Sequence, residues 1–250
     1  MSLDDLGIDV PLPARIERVV SLVPSLTESV AIAAPGLLAG ATDWCTHPAG
    51  LQVPRVGGTK NPDVARIVSL RPDLVLANEE ENRAGDLDAL RAAGVAVWVT
   101  QVRGVDEAIG SLDRMLRIAC GLARPGWLDD AAAAWAAVRT VPARVAAVPI
   151  WRRPWMVLGR DTFAGDVLAR LGVRNAFGGN AERYPRVSLD ELQSAELIVL
   201  PDEPYAFSAT DGPECFPGRP VALVSGRHLT WYGPSMVDAP RVLAAQLTAA

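Results

Sequence analysis

The side chains best suited to chemistry are few. His47 and His228 are the only imidazoles, and Cys45, Cys120 and Cys215 the only thiols. Cys45-Thr46-His47 is the one place where a thiol and an imidazole fall together. A zinc site takes three or four protein ligands, so even with His228 the set is short, and no metal site of the protein's own is assigned. A single axial imidazole on an already chelated cobalt or iron asks for less, and His228 or His47 would suffice. The three widely spaced cysteines form no CxxC pair and no disulfide framework. There is no nucleophile elbow, HExxH helix or phosphate loop, and the Gly57-Gly58 and Gly178-Gly179 pairs read as turns. No catalytic residue is therefore assigned, and the chain is not expected to be an enzyme.

The aromatic residues are better placed. Trp44, Tyr205, Trp231 and Tyr232 each lie shortly after a short apolar run, where ligands gather in open parallel sheets. Aromatic faces at such a rim suit a large flat ligand. Beside them, Asn82 and Arg83 stand at the start of an expected helix, where they would hydrogen-bond ligand amides or carboxylates. Arg152, Arg153 and Arg160 read equally as an anion clamp or as ordinary surface arginines.

The elements that must position these residues come in two similar series. Arg18–Val23 is β-branched and reads as a buried parallel strand. Ser25-Leu26-Thr27-Glu28 has the spacing of a capping box for a helix reaching Ala34. A strand over 38–41 follows, then a helix capped by Asn61 with Pro62 in its first turn. A strand over 74–77, a helix over 82–93, a strand over 95–99 and a helix over 105–119 complete the first series. An alanine-rich stretch over 127–138 has high helix propensity. Strands over 145–148, 155–158, 196–200 and 221–224 then alternate with helices over 163–171, from Ser188, and over 235–247. The pattern predicts two Rossmann-like α/β lobes with parallel sheets bridged by a single long helix. The divisions are residues 1–124, 125–142 and 143–250. Function is then expected in the cleft between the lobes.

The same residues carry a resemblance. RVVSLVPSLTE, GATDWCTHP, VGGTKNPDVARIVSLRPDLVLA and DALRAAGVAVWVT resemble the cobalamin-type substrate-binding proteins of ABC transporters, the class III or helical-backbone metal receptors. The likeness covers about residues 4 to 247; in the second half Arg174–Gly179 and Tyr184–Glu191 carry it. It implies binding of a corrinoid or related metal chelate, with no intrinsic cofactor. Trp44 then matches a first-lobe aromatic at the ligand face, Tyr184 one of the second lobe, and Trp231 falls near another. It also implies a permease partner. Asp190 matches an acidic residue that docks on that permease; the first-lobe counterpart falls at Ala65, with Asp63 two residues away. The alternatives are a siderophore or haem binder, or a cytoplasmic enzyme or chaperone handling a metal chelate.

Half of the residues are hydrophobic and 21% are charged, enough for two cores. A net charge of −5 gives no footprint for nucleic acid, and a monomer is expected. No run approaches the roughly 18 apolar residues of a membrane span. The opening residues are acidic and lack an apolar core of a signal peptide. The expectation is a cytoplasmic protein as the chain stands, or an extracytoplasmic one if an export signal has been removed.

Overall fold

The structure is a computed structural model and describes residues 2–249. The chain forms two compact units. The first comprises residues up to Gln101 together with Ala108–Leu128; the second comprises Val102–Glu107 and everything from Asp129.

In the first unit, β1 (Val19–Ser21), α1 (Pro24–Ala33), β2 (Leu38–Ala41), α2 (Val64–Ser69), β3 (Leu74–Asn78), α3 (Ala84–Ala92) and β4 (Val97–Thr100) alternate. All strand pairs are parallel, in the order β2-β1-β3-β4. Side chains alternate between faces of a strand, so Val75, Ala77, Val97 and Val99 share one face. There they form a core with Val20, Leu22, Ile67 of α2, and Leu87 and Leu90 of α3. The alternate residues Leu74, Leu76 and Trp98 are completely buried as well, as expected of a parallel sheet covered on both faces. The acidic opening residues brace the edge strand. Asp4 accepts the amides of Leu6, Ile8 and Val99, and Asp5 accepts the Gln101 amide and pairs with Arg114.

Two helix starts differ from the sequence reading. α1 begins at Pro24 with Val23 as its N-cap and no side-chain cap. Proline is pre-set for the first helical position, so the helix starts one residue early and Ser25 is already inside it. There is no capping box at Ser25 and Glu28. α2 is capped by Asp63, whose carboxylate accepts the Arg66 amide at 2.9 Å. Pro62 is taken up in a bridge with Gly57, which displaces the start from Asn61.

α4 (Val105–Arg114) runs into a π-helical turn at Met115–Ala119, and α5 (Gly126–Ala136) follows. α5 is eleven residues, about 16 Å at 1.5 Å per residue. It is shorter than the expected 125–142 stretch, because Thr140, Val141 and Pro142 favour extended backbone.

The second unit holds β5 (Arg144–Ala147), β6 (Pro149–Trp151), β7 (Met156–Val157), α6 (Phe163–Arg170), β8 (Val173–Asn175), α7 (Leu189–Gln193), β9 (Leu197–Pro201), β10 (Val221–Val224), α8 (Gly226–Thr230) and α9 (Ala239–Thr248). Its parallel sheet has the order β10-β9-β5-β8. The strand expected over 155–158 is not in that sheet; it pairs antiparallel with β6 in a small ribbon. The helix expected from Ser188 is present, and the structure shows that it opens with a capping box: the Ser188 side chain accepts the Glu191 amide at 3.3 Å, and the Glu191 carboxylate accepts the Ser188 amide at 2.8 Å. These bonds hold the Glu191 carboxyl below the usual carboxylate range. The core joins Ala147, Val157, Leu192, Ile198, Leu200, Phe207 and Phe216.

Candidate functional site

In the first unit, the loop after β2 carries Trp44, whose side of the loop is solvated: the residue is 66% exposed. The loop beneath it is braced. Arg55 donates to the carbonyls of Thr42 and Cys45 at 2.9 Å each, and to that of Leu51 at 3.3 Å. Cys45 is buried, with its sulfur 2.9 Å from the Thr27 hydroxyl and 3.1 Å from that of Thr42. Burial pushes the Cys45 thiol up, and the threonine and Arg55 contacts only partly offset it. Metal binding needs a thiolate, so Cys45 is a packed thiol that anchors the loop. The alternative of Cys45 and His47 as joint metal ligands is not supported. The His47 Nδ1 lies 3.1 Å from the Thr46 hydroxyl.

Asn82 has a different job from the one expected. It is buried, its side-chain oxygen accepts the Asn78 amide, and its nitrogen donates to the Thr59 carbonyl, both at 2.9 Å. Asn78 in turn donates to the Thr100 carbonyl at 2.9 Å. The amide of Asn82 ties the end of β3 to the 57–61 turn. Arg83 is exposed at the N-cap of α3 and caps nothing with its side chain. The one lysine, Lys60, donates to the Glu80 carbonyl, and burial pushes the Glu81 carboxyl up against the opposing pull of Lys60.

In the second unit, the carboxyl ends of β5 and β9 lead into a ladder of rings. Trp151, on β6, is 44% exposed and meets Tyr205 edge-on, with centroids 5.7 Å apart and planes at 82°. Tyr205 contacts Phe207 at 4.6 Å, Phe207 stacks on Trp155 at 6.1 Å, and Trp155 meets Phe216 at 5.6 Å. Phe216 is buried in the core, so the ladder runs from core to solvent. Edge-to-face and offset pairs are the favoured ring geometries. Trp151 was not singled out by the sequence, because it sits in a proline- and arginine-rich run (PIWRRPW) that hides a two-stranded ribbon.

Arg152 is spent inside this cluster. Its guanidinium pairs with Asp211 and, at 2.7 Å, with Glu214, and it lies 5.7 Å from the Trp155 ring. At 13% side-chain exposure it is neither an anion clamp nor a surface arginine.

Trp231 and Tyr232 are each 8% exposed. The Trp231 indole donates to Glu203 at 2.8 Å and lies under the Arg227 guanidinium at 5.9 Å. Burial raises the Glu203 carboxyl; the Trp231 bond and Arg227 oppose this, and Asp202 adds to it. Tyr232 packs edge-on against Phe163 at 5.8 Å. The His228 Nδ1 is 2.8 Å from the Ser225 hydroxyl, and the ring is half-buried. Tyr184 is half-buried beside Arg183, whose guanidinium is 5.8 Å from its ring. Its segment is seated by Gly159, whose amide donates to the Arg183 carbonyl at 2.7 Å. A cavity of about 780 Å³ lies in this unit between residues 159–165 and 172–179, with Arg103, Arg160 and Arg174 in its walls.

The remaining two thiols lie in no disulfide; burial pushes Cys120 up to about 12. Among the described residues, no three histidine, cysteine, aspartate or glutamate side chains converge on one point. Nor is any helix long and apolar enough to cross a membrane. Asp63 and Asp190 are both exposed, at the cap of α2 and in the first turn of α7.

No family model matches the chain. The vitamin B12-binding protein of Yersinia pestis (strain Pestoides F) is 26% identical over 200 residues, covering 76% of this chain and 70% of that protein. The solved periplasmic vitamin B12-binding protein BtuF of Vibrio cholerae superposes with a TM-score of 0.75 at 20% identity, over 95% of this chain and 98% of that one. The periplasmic heme-binding protein RhuT from Roseiflexus sp. RS-1 superposes with a TM-score of 0.80 at 21% identity, over 94% and 98%. These relatives are binding proteins, not enzymes.

Proposed function

We propose that this chain, a member of the cobalamin-type substrate-binding proteins of ABC transporters, is a solute-binding protein that holds a corrinoid or similar flat metal chelate against aromatic faces. The observation that carries the reading is the pair of exposed indoles, Trp44 and Trp151, each at the carboxyl-end rim of a parallel sheet. Trp151 rests on the half-buried Tyr205, and the loop under Trp44 is held by the half-buried Arg55. The further candidate contacts are Arg83 in the first unit and Tyr184 and Tyr205 in the second. Asn82 braces the loops of the first unit, Trp231 and Tyr232 are packed within the second, and His228 is the candidate axial imidazole. The protein brings no cofactor of its own to this role; the chelate is the cargo.

The test is titration with cyanocobalamin and with haemin, followed by the visible spectrum and by calorimetry. Affinity between nanomolar and micromolar is expected, about −8 to −12 kcal/mol, without consumption of the ligand. Trp44→Ala should cost roughly 1–3 kcal/mol of that, as a central aromatic does, and leave the melting temperature nearly unchanged. Turnover of the chelate would make the protein an enzyme. An unchanged affinity with a lowered melting temperature in Trp44→Ala would remove that residue from the site.

A second reading, an anionic chelate such as haem or a ferric siderophore, is favoured by one feature. Arg103, Arg160 and Arg174 line the cavity of the second unit, and arginine suits carboxylate arms. Heat with haemin or a ferric siderophore, and none with any corrinoid, selects it. For location, the solved relatives are periplasmic proteins, which favours the extracytoplasmic alternative. A permease partner, docked through Asp63 and Asp190, follows from the same reading.

A further inference from the structure

We propose that Asp211 is a positioning residue for the ligand face of the second unit: it fixes the Tyr205 ring edge-on to Trp151, and thereby holds the exposed indole ready for a flat ligand. This rests on the chelate-binding reading above.

The geometry is a relay of three side chains. Tyr205 donates its hydroxyl proton to one oxygen of Asp211 at 2.7 Å, a bond strengthened by the carboxylate charge. The other oxygen is held by Arg152. Arg152 follows Trp151 directly, at the start of the turn between β6 and β7, so one residue carries the indole and the next residue's side chain carries its support. The turn bearing Asp211 is closed on itself, with Ser208 donating to the Asp211 carbonyl at 3.0 Å. Tyr205 is thus held at both ends, by Phe207 at the ring and by Asp211 at the hydroxyl. An indole with one exposed face needs such a wall, since ordering a loose side chain on binding weakens affinity. The phenol responds to the same contact: the bond to Asp211, then burial, raises Tyr205 above the usual tyrosine range.

Removing Asp211 should leave the fold intact. Arg152 keeps Glu214 at 2.7 Å, so its half-buried charge stays compensated, and Glu214 remains anchored by the Gly212 amide at 2.6 Å.

The experiment titrates cyanocobalamin and haemin into the wild type, Trp151→Ala, Asp211→Ala, Asp211→Asn, Tyr205→Phe and the Trp151→Ala/Asp211→Ala pair. Trp151→Ala is expected to weaken binding by about tenfold or more. Asp211→Ala and Tyr205→Phe should each lose a few-fold, and Asp211→Asn, which still accepts the hydroxyl, less. The double variant should be no weaker than Trp151→Ala, because coupled residues do not add. A ligand-free readout accompanies it. Alkaline titration at 295 nm should show the Tyr205 phenol ionising late, and Asp211→Ala, which removes both the bond and the charge, should bring that step to lower pH. Wild-type affinity in Asp211→Ala, or losses that simply add in the pair, would overturn the assignment while leaving the binding function standing. Failure of the wild type to bind either probe would instead overturn the chelate reading itself.

Discussion

At the scale of single residues, the rims are built from groups whose polar atoms are already committed. Glu203 is the clearest case. It is half-buried, accepts the Trp231 indole at 2.8 Å, and has its carboxyl raised chiefly by that burial. A raised carboxyl in the fold binds its proton more tightly than in the unfolded chain. Its favourable contribution is therefore complete below the ordinary value of about 4.3 and is lost as pH rises through the folded value. Glu203→Gln keeps an acceptor for the indole and removes the charge. We expect the variant to match the wild type in urea unfolding near pH 4 and to gain on it progressively above that. A constant difference across pH 4 to 7 would mean that the carboxyl is not raised. The residue types explain what was readable here. A tryptophan shortly after a strand, such as Trp44, has no polar use that competes with a ligand face. Asn82 matched a ligand contact equally well on paper, but an amide suits two backbone groups as readily as a ligand. Only its burial separates the two uses.

Elements differ in how much of themselves they write into the sequence. The longer strands of both parallel sheets and the helix start at Ser188 were legible, because β-branched runs and a serine before a helical run are local signals. β6 and β8 are only three residues long each, too short for any period to show, and so the ribbon that presents Trp151 was missed although its other strand was expected. Glycines at close approaches are equally silent in one sequence. A side-chain carbon on Gly226 would lie 2.6 Å from both the amide nitrogen and the Cβ of Glu203. The start of α8 is further pinned by Asp202, which accepts the Gly226 amide at 2.6 Å. Gly226→Ala must push α8 away from the end of β9, and an overpacked contact of this kind costs about 1–3 kcal/mol. The expected result is a lower melting temperature with a changed near-ultraviolet signal from Trp231. Substitution at Gly85, where a new Cβ meets nothing within 4 Å, is the control and should leave both unchanged.

For the whole molecule, the open question of partner reduces to two exposed carboxylates. Asp63 caps α2 through the Arg66 amide, and Asp190 lies in the first turn of α7; each is on a different unit. Ala65 occupies the position where the family resemblance puts an acid, so Asp63 would have to serve in its place while still capping its helix. A carboxylate with one oxygen on a backbone amide can still present its charge. An exposed ion pair contributes only about 0–1 kcal/mol, whereas a close pair desolvated at an interface can contribute several. Asparagine caps a helix as well as aspartate does, so Asp63→Asn and Asp190→Asn remove charge without removing structure. If the protein is exported and delivers its cargo to a permease, fractionation of the native host will find it outside the cytoplasmic membrane. The double variant will then bind cyanocobalamin in solution with unchanged affinity yet support uptake of the labelled vitamin about tenfold less well, the effect of roughly 1.4 kcal/mol at the interface. Full uptake by the double variant would clear both acids of docking, and a protein confined to the cytoplasm would end the transport reading altogether.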